Sequence, residues 1–305
     1  MILKNISEIL RLGASKKAMK YVAIISLLSI FSVICLVLMN KIYGSFYDAL
    51  VQKNYPNAMK YLICHLTVMA LIAISDGELK CNQRFFTLHF REKIYNFYNI
   101  DVLDDKKSEY SCQRMSQDLL QFPWQFIELF ALFFHSILLI PSFLYLTITG
   151  GIGVSAILGC IILAIASSLI SRIIGKPVVA LQYKQESLEA RLRRELIQEL
   201  EKNNKTLPNL KDITINYASM SRKERWLTYF KNGYDRVAKC IPYFILVPKY
   251  FGGQITLGTM VQSGTALSKL ITEISFFVSN VDKIVEFRAT VNRVSEINEI
   301  KKEKQ

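Results

Sequence analysis

Six stretches of the chain are rich in Leu, Ile, Val and Phe and nearly free of charge: residues 21–39, 59–79, 126–149, 152–174, 237–251 and 267–285. Most approach the ~20 residues that a helix rising about 1.5 Å per residue needs to cross a hydrocarbon core about 30 Å thick. Two are interrupted. His65, Asp76 and Glu78 fall in the second, and Lys239, Pro242, Pro248 and Lys249 in the fifth. Thr149, Gly150 and Gly151 separate the third from the fourth and predict a tight turn between antiparallel helices. Two long polar arms remain, 80–125 and 175–236. Within the second, Leu188, Leu192, Leu196 and Leu200 recur every fourth residue, and Glu189/Arg193 and Arg191/Glu195 place opposite charges at i,i+4. The arms therefore read as helices continuing out of the membrane, each with one apolar stripe to lay against another arm or a second subunit. Residues 202–208 break the second arm before a further charged segment rises to the fifth run. The expected fold is an all-α membrane protein of six transmembrane helices with long cytoplasmic helical arms. It forms a single unit over 1–300 with a charged tail at 301–305.

Charge orients this pattern. The 305 residues carry 38 Lys and Arg against 25 Asp and Glu, a net charge of +13. Thirty of the 38 basic residues lie in four segments, 1–20, 80–125, 175–236 and 286–305, all on one side of the six-run arrangement. The intervening segments 40–58, 149–151 and 252–266 contain only Lys41 and Lys53. The positive-inside rule then predicts cytoplasmic termini and arms. It also accounts for the basic balance without nucleic acid, which would ask for one contiguous basic stripe. The first apolar run follows five basic residues with no small-residue cleavage motif after it, as an uncleaved span does. Six cysteines are scattered singly, four of them in apolar runs, so neither a disulfide framework nor a zinc site is expected. With only 13 Gly and 7 Pro, collagenous and low-complexity classes are excluded.

Local motifs narrow the reading. Phe46-Tyr47-Asp48-Ala49-Leu50 follows the first run, and Gln113-Arg114-Met115-Ser116-Gln117-Asp118 precedes the third. Gly252-Gly253-Gln254-Ile255-Thr256-Leu257-Gly258 follows the fifth; Glu286-Phe287-Arg288-Ala289-Thr290-Val291 closes the sixth. Glu189-Ala190-Arg191-Leu192-Arg193 lies in the second arm. In this order and spacing, over about residues 40–297, the chain resembles the SbmA/BacA-like family of bacterial inner-membrane peptide transporters, relatives of ABC exporter transmembrane domains. It departs from the family pattern at Tyr110-Ser111-Cys112, where Asn-Pro-Asp is usual, and at Gln117, where a glutamate is common. The resemblance implies a homodimer around a shared cavity that imports peptides or similar bulky solutes by proton-coupled alternating access. It marks Gln113, Arg114, Asp118, Glu189, Arg193, Glu286, Arg288 and Thr290 as family-motif positions.

The energy source is the open question. A nucleotide site needs G-x-x-x-x-G-K-[ST]. The one Gly-Lys pair here, Gly175-Lys176, is followed by Pro177 and has Ile170 in place of the earlier glycine. The expectation is a secondary transporter without a nucleotide-binding domain and without a cofactor. The alternatives are the membrane subunit of an ATP-driven transporter served by a separate ATPase, with peptide, vitamin B12 or lipid-like cargo, and a non-transporting membrane scaffold.

Proton coupling needs titratable groups within the spans. The candidates are Glu273 inside the sixth run, Glu128 at the start of the third, Asp76 and Glu78 in the second, and the span histidines His65 and His135. Against these stand plainer readings: hydrated carboxylates at the membrane boundary for Asp76, Glu78 and Glu128, and ordinary packing for the histidines. Arg114 and Asp118, at i,i+4, suggest a structural or subunit-coupling pair. Glu189, Arg193 and the Glu286/Arg288/Thr290 cluster also read as solvated helix positions.

Overall fold

The computed structural model describes residues 9–11, 13–97, 117–201 and 209–279, together with 283, 286–288, 290–292 and 294–295. Among the described residues every regular element is an α-helix: α1 (Lys16–Val51), α2 (Tyr55–Phe97), α3 (Leu119–Thr149), α4 (Val154–Glu201), α5 (Lys211–Ala238), α6 (Ile241–Phe251) and α7 (Leu257–Ser279). Four of them, α1 to α4, are long and apolar enough to cross a membrane. The chain is a multi-pass, all-α membrane protein.

Each long helix overruns the apolar run that predicted it. Ser15 caps α1, its hydroxyl accepting from the Ala18 N–H at 3.0 Å, six residues before the apolar run opens at Tyr21. α2 passes from apolar to charged sequence without a break over 43 residues, about 65 Å. The expected continuation of the second span into the first arm therefore holds as far as Phe97. α4 does the same over 48 residues, through Pro177. The glycine turn forms as expected. Gly151 adopts φ +82, a conformation that costs glycine little, and Gly150 lies so close to Ser263 that a β-carbon there would stand 1.7 Å from the hydroxyl.

The fifth run differs. Residues 237–251 do not form one helix. α5 ends at Ala238 and α6 restarts at Ile241 with Pro242 in its first turn. A proline has no N–H to donate and its ring crowds the carbonyl four residues back, here that of Ala238, which favours a break at this point, although α4 runs through Pro177 without one. α6 alone is 11 residues, about 16 Å, too short to cross. α7 starts at Leu257, ten residues ahead of the apolar run that predicted the sixth span.

α7 occupies the middle. Leu267, Leu270 and Ile271 pack against Cys160 and Ala164 of α4 and Leu246 of α6. Ala266 meets Val33 of α1 and Leu139 and Phe143 of α3. A third cluster joins Ile25 of α1, Phe86 and Phe90 of α2, Phe122 and Ile127 of α3, and Val291 and Val294 beyond α7. Outward faces stay apolar and exposed, as at Leu27 and Ile34 on α1 and Ile162, Leu169 and Ile173 on α4. Lipid or another protein must cover them. The arm of α4 lies against α5 of the same chain. There the buried Asn216 amide donates to the Leu181 carbonyl at 3.1 Å and to Gln185 Oε1 at 2.9 Å. The partner sought for the second arm's stripe is thus partly supplied within one chain.

Candidate functional site

Polar side chains on apolar helices are costly unless paired, so their positions are informative. They gather at three levels along α7 and the segment that follows it.

At the first level α1 meets the start of α7. Asp48 accepts from the Gly258 N–H at 2.8 Å and from the Thr256 hydroxyl at 3.1 Å. One turn earlier, a β-carbon on Gly258 would stand 2.2 Å from the Gly44 carbonyl, so only glycine allows this approach. Deeper, Asn40 donates to the Gln262 carbonyl at 3.2 Å and accepts from the Thr265 hydroxyl at 2.6 Å. The Tyr43 and Tyr47 hydroxyls are 3.1 Å apart, and the Tyr43 ring stacks on His65 with centroids 5.2 Å apart. A cleft of about 360 Å³ opens here, bounded by Asn40, Tyr43, His65, Thr265 and Lys269, with Leu36, Met39 and Phe143 as its apolar wall.

At the second level Lys269 pairs with Glu273 at 3.3 Å, one turn along α7. The Glu273 side chain is 12% exposed, so it is largely withdrawn from solvent and needs that partner. His135 of α3 is half-buried and within electrostatic reach of Glu273, Lys269 and Asp76. The Ser75 hydroxyl donates to the Leu28 carbonyl at 3.4 Å, which sets the neighbouring Asp76 level with the middle of the apolar run of α1.

At the third level Lys283 donates to Glu128 at 2.7 Å and Gln125 to Glu286 at 3.0 Å, beside a cleft of about 280 Å³ that Trp124 also lines. Phe287 stacks on Phe122 at 5.6 Å. Thr290 is buried, its hydroxyl donating to the Glu286 carbonyl at 3.2 Å.

The model of the SbmA/BacA-like family matches residues 16–301. The chain belongs to that family. Its relatives in the curated collection are named as ABC transporter proteins. It is 22% identical over 295 residues to the inner membrane ABC transporter ATP-binding protein YddA of Escherichia coli (strain K12), a match covering 84% of this chain and 53% of that one. It is 24% identical over 239 residues to an ABC transporter ATP-binding protein of Synechocystis, covering 71% and 35%. It is 26% identical over 144 residues to the chloroplastic ABC transporter D family member 2 of Arabidopsis thaliana, covering 43% and 20%. The chain thus spans about half or less of the length of these relatives. The family and these names support a membrane transporter.

Within this family frame the sequence-derived residues fall into place unevenly. His135 lies within electrostatic reach of both Glu273 and Asp76. Glu128, partly exposed, pairs with Lys283. Glu78 and Asp76 are both exposed on α2. Glu286 docks the family's closing motif onto the start of α3, Thr290 is buried and donates back to the Glu286 carbonyl, and Arg288 is exposed. Glu189 accepts from Gln185 at 3.1 Å, joining it to the Asn216 contact between α4 and α5, and Arg193 is exposed. Gln113 and Arg114 lie outside the described residues, and with them the pair expected between Arg114 and Asp118; Asp118 itself is buried.

Lys269, Asn40, Tyr43 and Thr265 were not singled out from sequence. Lys269 carried a usable signal, a cation four residues before Glu273 in the same apolar run. The other three read as ordinary span-end residues until α1 and α7 are brought together.

Proposed function

We propose that two copies of this chain form a transporter that imports peptides or similarly bulky solutes across a bacterial inner membrane by proton-coupled alternating access. The observation that carries this reading is the set of ionisable side chains on otherwise apolar helices. His65 and Asp76 lie on α2, His135 and Glu128 on α3, and Lys269 and Glu273 on α7. Ionisable groups within membrane-spanning helices mark solute and proton pathways by default, because their burial is otherwise unfavourable. Asp76 and Glu78 lie exposed on α2, level with apolar sequence, and a second copy facing them across a water-filled cavity would keep them out of lipid. The basic bias of the four segments supports cytoplasmic termini. Residues 1–300 would act as one transmembrane unit. Uptake of a fluorescent proline-rich peptide by a bacterial strain lacking its own peptide transporters, expressing this chain, tests the reading. Uptake abolished by a protonophore is the expected result. No uptake despite correct membrane insertion would remove peptide import and leave the scaffold alternative.

A second reading has its own support. The relatives are named ATP-binding and are about twice as long or longer. If uptake resists the protonophore but follows cellular ATP, a membrane subunit coupled to an ATPase is the better account.

A further inference from the structure

The cleft between α1, α2, α3 and α7 has a chemical bias. Of the polar groups around it, the Asn40 amide reaches Gln262 and Thr265, and one of the Tyr43 and Tyr47 hydroxyls donates to the other, which leaves one amide and one phenolic proton unused among the described residues. Two ionisable side chains line it besides these. His65 Nδ1 is buried with no hydrogen-bond partner among the described residues. The Lys269 side chain is 39% exposed, and its ammonium has three donors and, among the described residues, one carboxylate partner, Glu273, at 3.3 Å. Among the described residues no Asp or Glu lines the cleft. It therefore offers one cation and an imidazole able to donate, and its remaining wall of Leu36, Met39 and Phe143 is apolar.

We propose that this cleft binds a carboxylate of the transported solute, taken as the C-terminal carboxylate of a peptide, between Lys269 and His65, with the last side chain against Leu36, Met39 and Phe143. The inference rests on the transport reading above and deepens it. Charge-assisted hydrogen bonds from an ammonium and an imidazole are shorter and stronger than neutral ones, and a low-dielectric wall strengthens them. Lys269 meets the carboxylate while still adjacent to Glu273, so solute and Glu273 share one cation.

The test measures equilibrium binding to the full chain in nanodiscs with three probes. N-acetylphenylalanine carries a terminal carboxylate, N-acetylphenylalaninamide carries none, and the α-amide of N-acetylglutamate carries its carboxylate only on the side chain. The terminal acid is expected to bind about tenfold or more tightly than its amide. The preference should persist in Lys269→Arg and vanish in the double variant Lys269→Met/Glu273→Gln, which leaves no unpaired charge behind. Equal binding of the two acids keeps the carboxylate site and reassigns its source to acidic side chains. An amide that binds as well as the acid, no binding of either acid, or a preference that survives the double variant overturns the proposal. Should the double variant fail to fold, the acid-to-amide ratio of the unaltered chain decides alone. Acid preference without peptide uptake would leave the cleft and remove the transport reading; uptake indifferent to C-terminal amidation, with no acid preference in binding, would do the reverse.

Discussion

Asp48 at the end of α1 caps α7, its carboxylate accepting from the Gly258 backbone N–H at 2.8 Å across 210 residues of sequence. The Phe46–Leu50 and Gly252–Gly258 motifs, two of those that carry the family resemblance, are therefore one contact. A carboxylate at a helix N-terminus satisfies an orphan donor and complements the helix dipole. Asp48→Ala should lower stability by about 1–2 kcal/mol, with Asp48→Asn losing less because it can still accept. Thermal unfolding in detergent reads this, and an unchanged midpoint for Asp48→Ala would dissolve the clasp.

Gly258→Ala should be among the most damaging small changes in the chain. Its β-carbon would stand 2.2 Å from the Gly44 carbonyl and 2.4 Å from the Asp48 carboxylate, so α1 and α7 must separate. Overpacking of this kind costs about 1–3 kcal/mol, to which loss of the cap adds. Gly77→Ala, which meets nothing within 4 Å, is the control and should be neutral or slightly stabilising. The yield of monodisperse protein separates the two.

Between α4 and α5, Asn216→Ala leaves Gln185 Oε1 without its buried donor and takes the second donor from the Leu181 carbonyl, which keeps its helical N–H. A cost of about 1–3 kcal/mol is expected, felt in the arms. Faster limited proteolysis near residues 202–208, with the helices around α7 still protected, is the predicted pattern. Uniform loss of protection would show that the arms and the helices around α7 unfold together.

Glu273→Gln should depress peptide uptake while membrane abundance stays near that of the unaltered chain, because the amide keeps its volume and can remain beside Lys269. Glu128→Gln breaks a partly exposed pair, whose loss is worth about 0.2–1 kcal/mol, so its abundance should hardly change. Immunoblots of membranes alongside uptake rates check both. Full uptake by Glu273→Gln removes that residue from the proton path.

Much of the architecture was legible because its signals are local. Uncharged runs announced α1 to α4, the Gly150-Gly151 pair announced their turn, and the four-residue leucine spacing announced the arm of α4. The break at residues 239–240 has a local signal in Pro242, but proline alone does not decide it, since α4 passes through Pro177 unbroken. The site was harder to read. Glu273 and the histidines stood out as lone ionisable groups, yet their meaning depends on partners that no spacing reveals. Lys283 reaches Glu128 across 155 residues, and Thr265 reaches Asn40 across 225. Asp76 shows the same limit. Sequence left it between a coupling group and a hydrated boundary carboxylate, and the Ser75 contact to Leu28, which sets it beside the first apolar run, lies beyond any local spacing.

The most direct test reconstitutes the purified full chain in proteoliposomes and follows a labelled peptide under an imposed pH gradient with no nucleotide present. The account predicts accumulation driven by the gradient, collapsing on addition of a protonophore and strongly reduced in Glu273→Gln. Accumulation that ignores the gradient and begins only when an ATPase and ATP are supplied would contradict it.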